Sequence, residues 1–459
     1  MTTDVAPDGT LRSVPPEGAR WAYVFGALGG LLFGYDIGVI GGALLFIRQA
    51  LHLDPMLQGV VVSALLMGAV IGAAACIRLS NPIGPRRLLI GAGVLLAAGS
   101  LGAALAPGAV WLIAFRVVIG LGVGVASVQV PIYLSEMAPT RIRGALSTLN
   151  QIMISGGIFT AYLVNYALAG SGAWRLMIGL AIIPALLLIA GMSAQPESPR
   201  WLYRQGRIAE ARAVLLRNRD ATEADAELAG MAEATRRPQL GFADLLRTRW
   251  LRRPLLLAAG LAILQQVVGI NTIIYYAPTI FRAAGFGNAS AILITLGLGG
   301  LTLVVTICTS QIVDRVGRRP LMLGGALMLS ATMAILGAIF FSGALATTAG
   351  IVLAVACIAL YKTAFSLSWG PLVWVLLPEV LPLQARGPAM GAATLLNWLA
   401  NFFVALTFPV LLAAGAGTIF EVFACFGLIA FFFARSLLHE TSGRSLEQIE
   451  LEDEPLIAE

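Results

Sequence analysis

The stretch SEMAPTRIRG, Ser135–Gly144, is written a second time as PEVLPLQARG, Pro378–Gly387. In both copies a glutamate stands seven residues ahead of an Arg-Gly pair, Glu136 before Arg143 and Glu379 before Arg386, and the copies lie 243 residues apart. Two further pairs recur in the same order. SNPIGPRR (80–87) returns as VDRVGRRP (313–320), and PESPRWL (196–202) is echoed by HETSGRSLEQIE (439–450). Chance likeness between short turn sequences does not preserve such an order, so the chain is a parallel duplication.

What surrounds these motifs is apolar. The 459 residues are 58% hydrophobic and 12% charged, unlike a soluble globule. Runs of about 20 residues, the length that crosses a ~30 Å hydrocarbon core, recur about twelve times. They lie near 21–47, 58–79, 88–107, 110–134, 145–168, 174–194, 254–281, 288–313, 320–342, 350–376, 387–411 and 416–436. In lipid the backbone must satisfy its own hydrogen bonds, so each run is expected to be a helix. The fold class is an all-α membrane protein with twelve transmembrane helices in two pseudo-symmetric six-helix bundles. Its divisions are a polar tail (1–20), a first bundle (21–194), a helical linker (195–253), a second bundle (254–436) and a C-terminal tail (437–459).

Arginines give the orientation. Arg86, Arg87, Arg141, Arg143, the basic segment 195–253, Arg315, Arg318, Arg319 and Arg386 all fall on the side shared with both termini. The connections near 107–110, 343–349 and 412–418 carry no Lys or Arg, so both termini and the linker are expected in the cytoplasm. The N-terminal tail has no secretory signal pattern. A net charge of +6 held in short loops does not indicate a nucleic-acid partner. Cys76, Cys308, Cys357 and Cys425 lie in spans without metal or redox spacing, and His52 and His439 form no cluster. No nucleophile–base set, metal site or nucleotide motif appears, so no enzyme activity, cofactor or metal is expected.

The motifs PIYLSEMAPTRIRG, PESPRWL, QQVVGINTIIYYAP, DRVGRR, WGPLVWVLLPEVLPLQARG and ETSGRSLEQIE resemble those of the sugar porter family of the major facilitator superfamily, over essentially the whole chain. The resemblance implies the superfamily fold, a cytoplasmic helical linker bundle and transport of monosaccharides or polyols by alternating access. It also implies a latch of salt bridges that closes the cytoplasmic side, made by Glu136, Arg143, Asp314, Arg315, Arg318, Arg319, Glu379 and Arg386. The first copy departs from the family's Asp-Arg-x-Gly-Arg-Arg pattern: Asn81, Pro82 and Pro85 stand where an acid and two basic residues belong. A weaker cytoplasmic latch is the expected consequence.

A sugar is a ring of hydroxyls with one weakly apolar face, so its site calls for amides and an aromatic surface. The spans carry Gln151, Gln265, Gln266, Asn271, Trp374, Asn397 and Asn401, and intramembrane polar groups should face the interior. All but Asn401 match family positions that contact sugar. Helix–helix adhesion is the plain alternative for any one of them. Tyr275 and Tyr276 resemble the family's outer gate, with interfacial anchoring the competitor. Thr302 stands where the family often has an amide, which loosens any inference about which sugar is carried.

The remaining charges in the spans are few. Asp36, in GLLFGYDIGVIGG (Gly30–Gly42), is about 22 Å along the first span at 1.5 Å per residue. That puts it ~8 Å below the outer surface, and Arg116 of the fourth span is ~9 Å deep from the same side. Matching depth predicts an ion pair. The pair is either a fixed strut or a titrating carboxylate. Resemblance to proton-coupled symporters, which carry an aspartate here, favours the second. A proton driven by 100 mV and one pH unit supplies ~3.7 kcal/mol, enough for roughly 500-fold accumulation. The expected protein is a monomeric proton–monosaccharide symporter of a bacterial plasma membrane, with glucose or a close hexose or pentose as substrate. A passive facilitator, a polyol transporter, a sugar-sensing receptor and an organic-ion exporter are the alternatives. Lys362, the chain's single lysine, lies near the midplane, where it either lines the cavity or meets a carboxylate such as Glu421, although the two differ in depth.

Overall fold

The structure is a computed structural model that describes residues 4–5, 11–12, 17–138, 143–236, 245, 247–382 and 385–440, with the side chains of 4–5, 11–12, 17–22, 143–148, 234–236, 249 and 310–315 excluded. Among the described residues twelve helical segments are long and apolar enough to cross a membrane. They are spans 1 (Tyr23–Ala50), 2 (Pro55–Ile83), 3 (Pro85–Ala104), 4 (Ala109–Met137), 5 (Leu149–Leu168) and 6 (Trp174–Ser193), then 7 (Arg252–Ala283), 8 (Asn288–Thr309), 9 (Arg318–Ser342), 10 (Thr348–Val380), 11 (Arg386–Ala414) and 12 (Ala416–Leu437). Between spans 6 and 7 lie the short helices Pro199–Arg204 and Ile208–Leu215 and the longer Ala221–Arg236. The linker side of the molecule is hereafter the linker face. One two-residue strand pairing, Asp4–Val5 with Leu11–Arg12, is a small exception to the all-helical expectation.

Without a hydrophobic drive between helices in lipid, close packing depends on small residues. Span 1 shows how. Gly30, Gly34, Gly38 and Gly42, one per turn, face span 5: a methyl at Gly34 would strike the Ile154 carbonyl, and one at Gly38 would lie 2.9 Å from Ala161 Cβ. The seam is tied by Asn165 Nδ2, which donates to the Val39 carbonyl at 3.1 Å. Spans 2 and 4 use the same device reciprocally, Gly68 and Gly72 against Val117 and Leu121, Gly120 and Gly124 against Leu65 and Ala69.

The two halves meet chiefly along spans 1 with 7, 2 with 11, and 5 with 8. Several of the closest contacts lie away from the linker face. Gly41 sits 3.1–3.2 Å, by its would-be methyl, from the Ile274 and Tyr275 carbonyls, and Gly59 packs on the Leu406 carbonyl. Nearer the centre, the Ser155 and Thr306 hydroxyls share a hydrogen bond at 3.1 Å.

Three runs that read as single helices are interrupted. Span 6 splits into Trp174–Gly179 and Ile182–Ser193, span 7 into Arg252–Val267 and Ile270–Ala283, and span 10 into Thr348–Leu367 and Trp369–Val380. The interruptions in spans 7 and 10 build the site.

Candidate functional site

Span 7 breaks at Val268–Gly269 because Gly269 adopts φ +97°, and the Phe423 ring lies 2.7 Å from where a side chain would begin. Irregular backbone at membrane depth survives only where its carbonyls find donors. Here Tyr361 Oη donates to the Val268 carbonyl at 2.7 Å and Thr272 Oγ1 to that of Gly269 at 2.6 Å. Span 10 breaks at Ser368, with φ −131° and ψ −95°.

The two breaks face each other across one amide. Gln265 Nε2 donates to the Trp369 carbonyl at 2.8 Å and to that of Gly370 at 3.1 Å. Its Oε1 accepts from Asn397 Nδ2 of span 11 at 2.8 Å, and the same nitrogen donates to the Ala262 carbonyl. Gln266 Nε2 donates to Asn397 Oδ1 at 3.1 Å, and Asn271 Nδ2 donates to Gln266 Oε1 at 2.6 Å. Four amides from spans 7 and 11 thus form one connected network. It ends at half-buried Asn271, where donor and acceptor capacity remains for hydroxyls.

Gln151 and Trp374 stand apart from this bonded set. Gln151 is half-buried on span 5, and Trp374 is 39% exposed on the second helix of span 10. Thr302 turns its hydroxyl back onto the Leu298 carbonyl of its own helix. Tyr275 and Tyr276 are buried, which excludes interfacial anchoring. Asn401 Nδ2 donates to Tyr275 Oη at 3.1 Å, while Tyr276 Oη donates to the Ala405 carbonyl at 2.9 Å and its ring packs on Phe408. Both tyrosines therefore pin the second helix of span 7 to span 11. Tyr361, which satisfies the break, was not singled out from the sequence. Its only signal there was a hydroxyl-bearing aromatic inside an apolar span.

Asp36 is 2% exposed, and its Oδ2 has no hydrogen-bond partner. The expected ion pair with Arg116 does not form: among the described residues, no contact within ion-pair distance joins them. Arg116 Nε instead donates to the Val61 carbonyl at 2.6 Å and Nη2 to that of Val62 at 3.4 Å. The reason is positional. Arg116 lies one turn before Gly120, where spans 2 and 4 approach most closely, so span 2 carbonyls are nearer to it than span 1.

At the linker face Arg318 pairs with Glu379 at 3.5 Å. Glu136 accepts from the Ser198 hydroxyl, and Arg386 donates through Nε and Nη2 to the Leu381 carbonyl. Arg319 Nη2 donates to the Arg435 carbonyl at 3.1 Å. The side chains of Arg143, Asp314 and Arg315 lie outside the described residues. Lys362 does not meet Glu421, which packs against Gly337 of span 9.

Residues 22–452 match the family model described as "Sugar (and other) transporter". Among curated proteins the chain is 41% identical over 431 residues to the glucose transporter GlcP of Staphylococcus epidermidis, covering 94% of this chain and 96% of that protein. It is 40% identical over 427 residues to the galactose-proton symporter of Escherichia coli K12, covering 92% of each. Among solved structures it is similar to the partially occluded, inward-open form of the xylose transporter XylE from E. coli, with 31% identity and TM-score 0.82, over 94% of this chain and 100% of that one.

Proposed function

The chain belongs to the sugar porter family of the major facilitator superfamily, and from that premise we propose that it couples proton entry to monosaccharide uptake by alternating access, with Asp36 as the proton-carrying carboxylate. The observation that carries this reading is the buried Asp36 Oδ2 without a partner. A carboxylate in that position is costly unless it is neutralised. Arg116, with its guanidinium engaged by span 2 carbonyls, acts on Asp36 as a nearby charge and not as a permanent partner. A proton can therefore come and go without first breaking an ion pair.

The sugar is held by the amides of Gln265, Gln266, Asn271 and Asn397, with Gln151 from the first half and Trp374 as the aromatic surface. Glucose or a close hexose is the first candidate, supported by the likeness to GlcP. With the arginine-rich linker face in the cytoplasm, the contacts of Gly41 and Gly59 close the outer side. The glycine stripe holds span 1 on span 5 while the second helix of span 7 lies against Gly41. Rocking of the halves about the site would open that contact and change the enclosure of Asp36 at the same time.

The test is labelled glucose uptake into proteoliposomes, with and without an imposed pH gradient and with a panel of competing sugars. Asp36→Asn should keep sugar exchange and lose gradient-driven accumulation, a drop of roughly 500-fold if the full driving force is used. Accumulation that survives the substitution places the proton elsewhere. A parent that only equilibrates sugar identifies a passive facilitator.

A further inference from the structure

Lys362 is 2% exposed in the first helix of span 10, and among the described residues no carboxylate pairs with it. Its Nζ lies 5.5 Å from the centroid of the Tyr162 ring, on span 5 of the opposite half. Tyr162 is itself held on other sides by the second bundle. Its Oη donates to the Ile274 carbonyl of span 7 at 3.1 Å. Its ring edge fills a notch at Gly299 of span 8, where a methyl would come within 2.6 Å of Cδ2. One aromatic side chain from the first half is thus seated in a socket made by spans 7, 8 and 10 of the second.

We propose that Lys362 and Tyr162 form a lock that holds the halves together on the side of Gly41 and Gly59, and that the transport cycle must release it before that side can open. The lock rests on the alternating-access part of the functional reading. A buried ammonium is expensive at membrane depth, and here its described partner is a ring face that travels with the other half. Separation of the halves strips the cation from the ring, and closure restores it. Lys362 therefore acts through Tyr162, without touching sugar or proton, and sets how much of the protein is closed on that side.

Spin labels at Gln49→Cys and Ala283→Cys, in the full chain with its four native cysteines replaced and reconstituted in nanodiscs, report the separation across this gate. Lys362→Met should raise the open-to-closed ratio by about 2- to 30-fold. Lys362→Arg, which keeps a cation over the ring, should return it to the parent value. Tyr162→Leu should raise the ratio and make Lys362→Met silent in the double variant. An unchanged ratio in Lys362→Met, or full additivity of the two substitutions, overturns the lock. A parent whose distance stays single with and without glucose, at pH 5 and pH 8, overturns alternating access itself and the lock with it.

Discussion

The two halves repeat one design at the linker face and diverge in how completely they carry it out. In the second half Glu440 accepts from the backbone N–H groups of Arg318 and Arg319, both at 3.0 Å, and so caps the start of span 9 after Gly317. In the first half Glu197 plays the corresponding part after Gly84, but it takes only Arg86 N at 2.9 Å from span 3, because Pro85 has no N–H to offer; its other bond is to Ser198 N. The helix of span 2 ends at Gly84, φ +93°, so the Asn81 carbonyl in its last turn has no helical donor. The linker fills the gap: Trp201 Nε1 and Gln205 Nε2 donate there at 2.7 and 2.9 Å. Burial pushes the Glu197 carboxyl above its ordinary range, against the opposing pull of its two backbone donors. The difference teaches that a lost basic motif need not leave a broken loop. Its hydrogen bonds can pass to a neighbouring element, and the loop becomes tied to the linker instead of to the helix end.

The proposed sites divide the same way, with Asp36 and Arg116 in the first half and the connected amides in the second. The largest expected effect separates these two. Asn397→Ala removes both donors from Ala262 and Gln265 and the acceptor of Gln266. At about 1–3 kcal/mol for each buried group left unpaired, sugar affinity should fall tenfold or more. Where Asp36→Asn keeps exchange, Asn397→Ala should weaken exchange and accumulation together, read by isotherms of labelled sugar. Equal loss of exchange in both variants would show that the division is not real.

A smaller effect compares the caps. Glu440→Ala frees two amides at the start of span 9, whereas Glu197→Ala frees one at the start of span 3. Hydrogen exchange in those first turns should accelerate about fivefold for each bond lost, at about 1 kcal/mol apiece, and therefore more in Glu440→Ala. The smallest effect comes from restoring the first copy with Asn81→Asp, Pro82→Arg and Pro85→Arg. An added latch of exposed ion pairs contributes about 0–1 kcal/mol each. The expected result is a modest protection of linker-face cysteines from a membrane-impermeant probe, and no protection would mean that the departure does not weaken the latch.

Much of the fold was legible in the chain. Apolar runs gave the number of spans, since lipid permits only helices of a set length, and the repeated Glu136 and Glu379 motifs showed the duplication. The amides were also legible, because a polar side chain in a span stands out against its neighbours. The breaks were not. Gly269 sits in an apolar run like many other glycines, and its role depends on Phe423, 154 residues away, and on Tyr361 catching the freed Val268 carbonyl. Depth arithmetic placed Asp36 and Arg116 at one level but carried no information about azimuth. Arg116 consequently found span 2 and not Asp36.

By itself, then, the sequence determined the span count, set by hydrophobic length, and which polar groups had to be buried: Asp36, Arg116, Lys362 and a set of amides. Tertiary structure alone decided what each of them meets. Partners such as Tyr162 for Lys362 and the Trp369 carbonyl for Gln265 come from distant spans. Hydrogen bonds and ring contacts form only where packing brings two faces within a few ångströms, and that proximity is written in helix rotation and not in residue order.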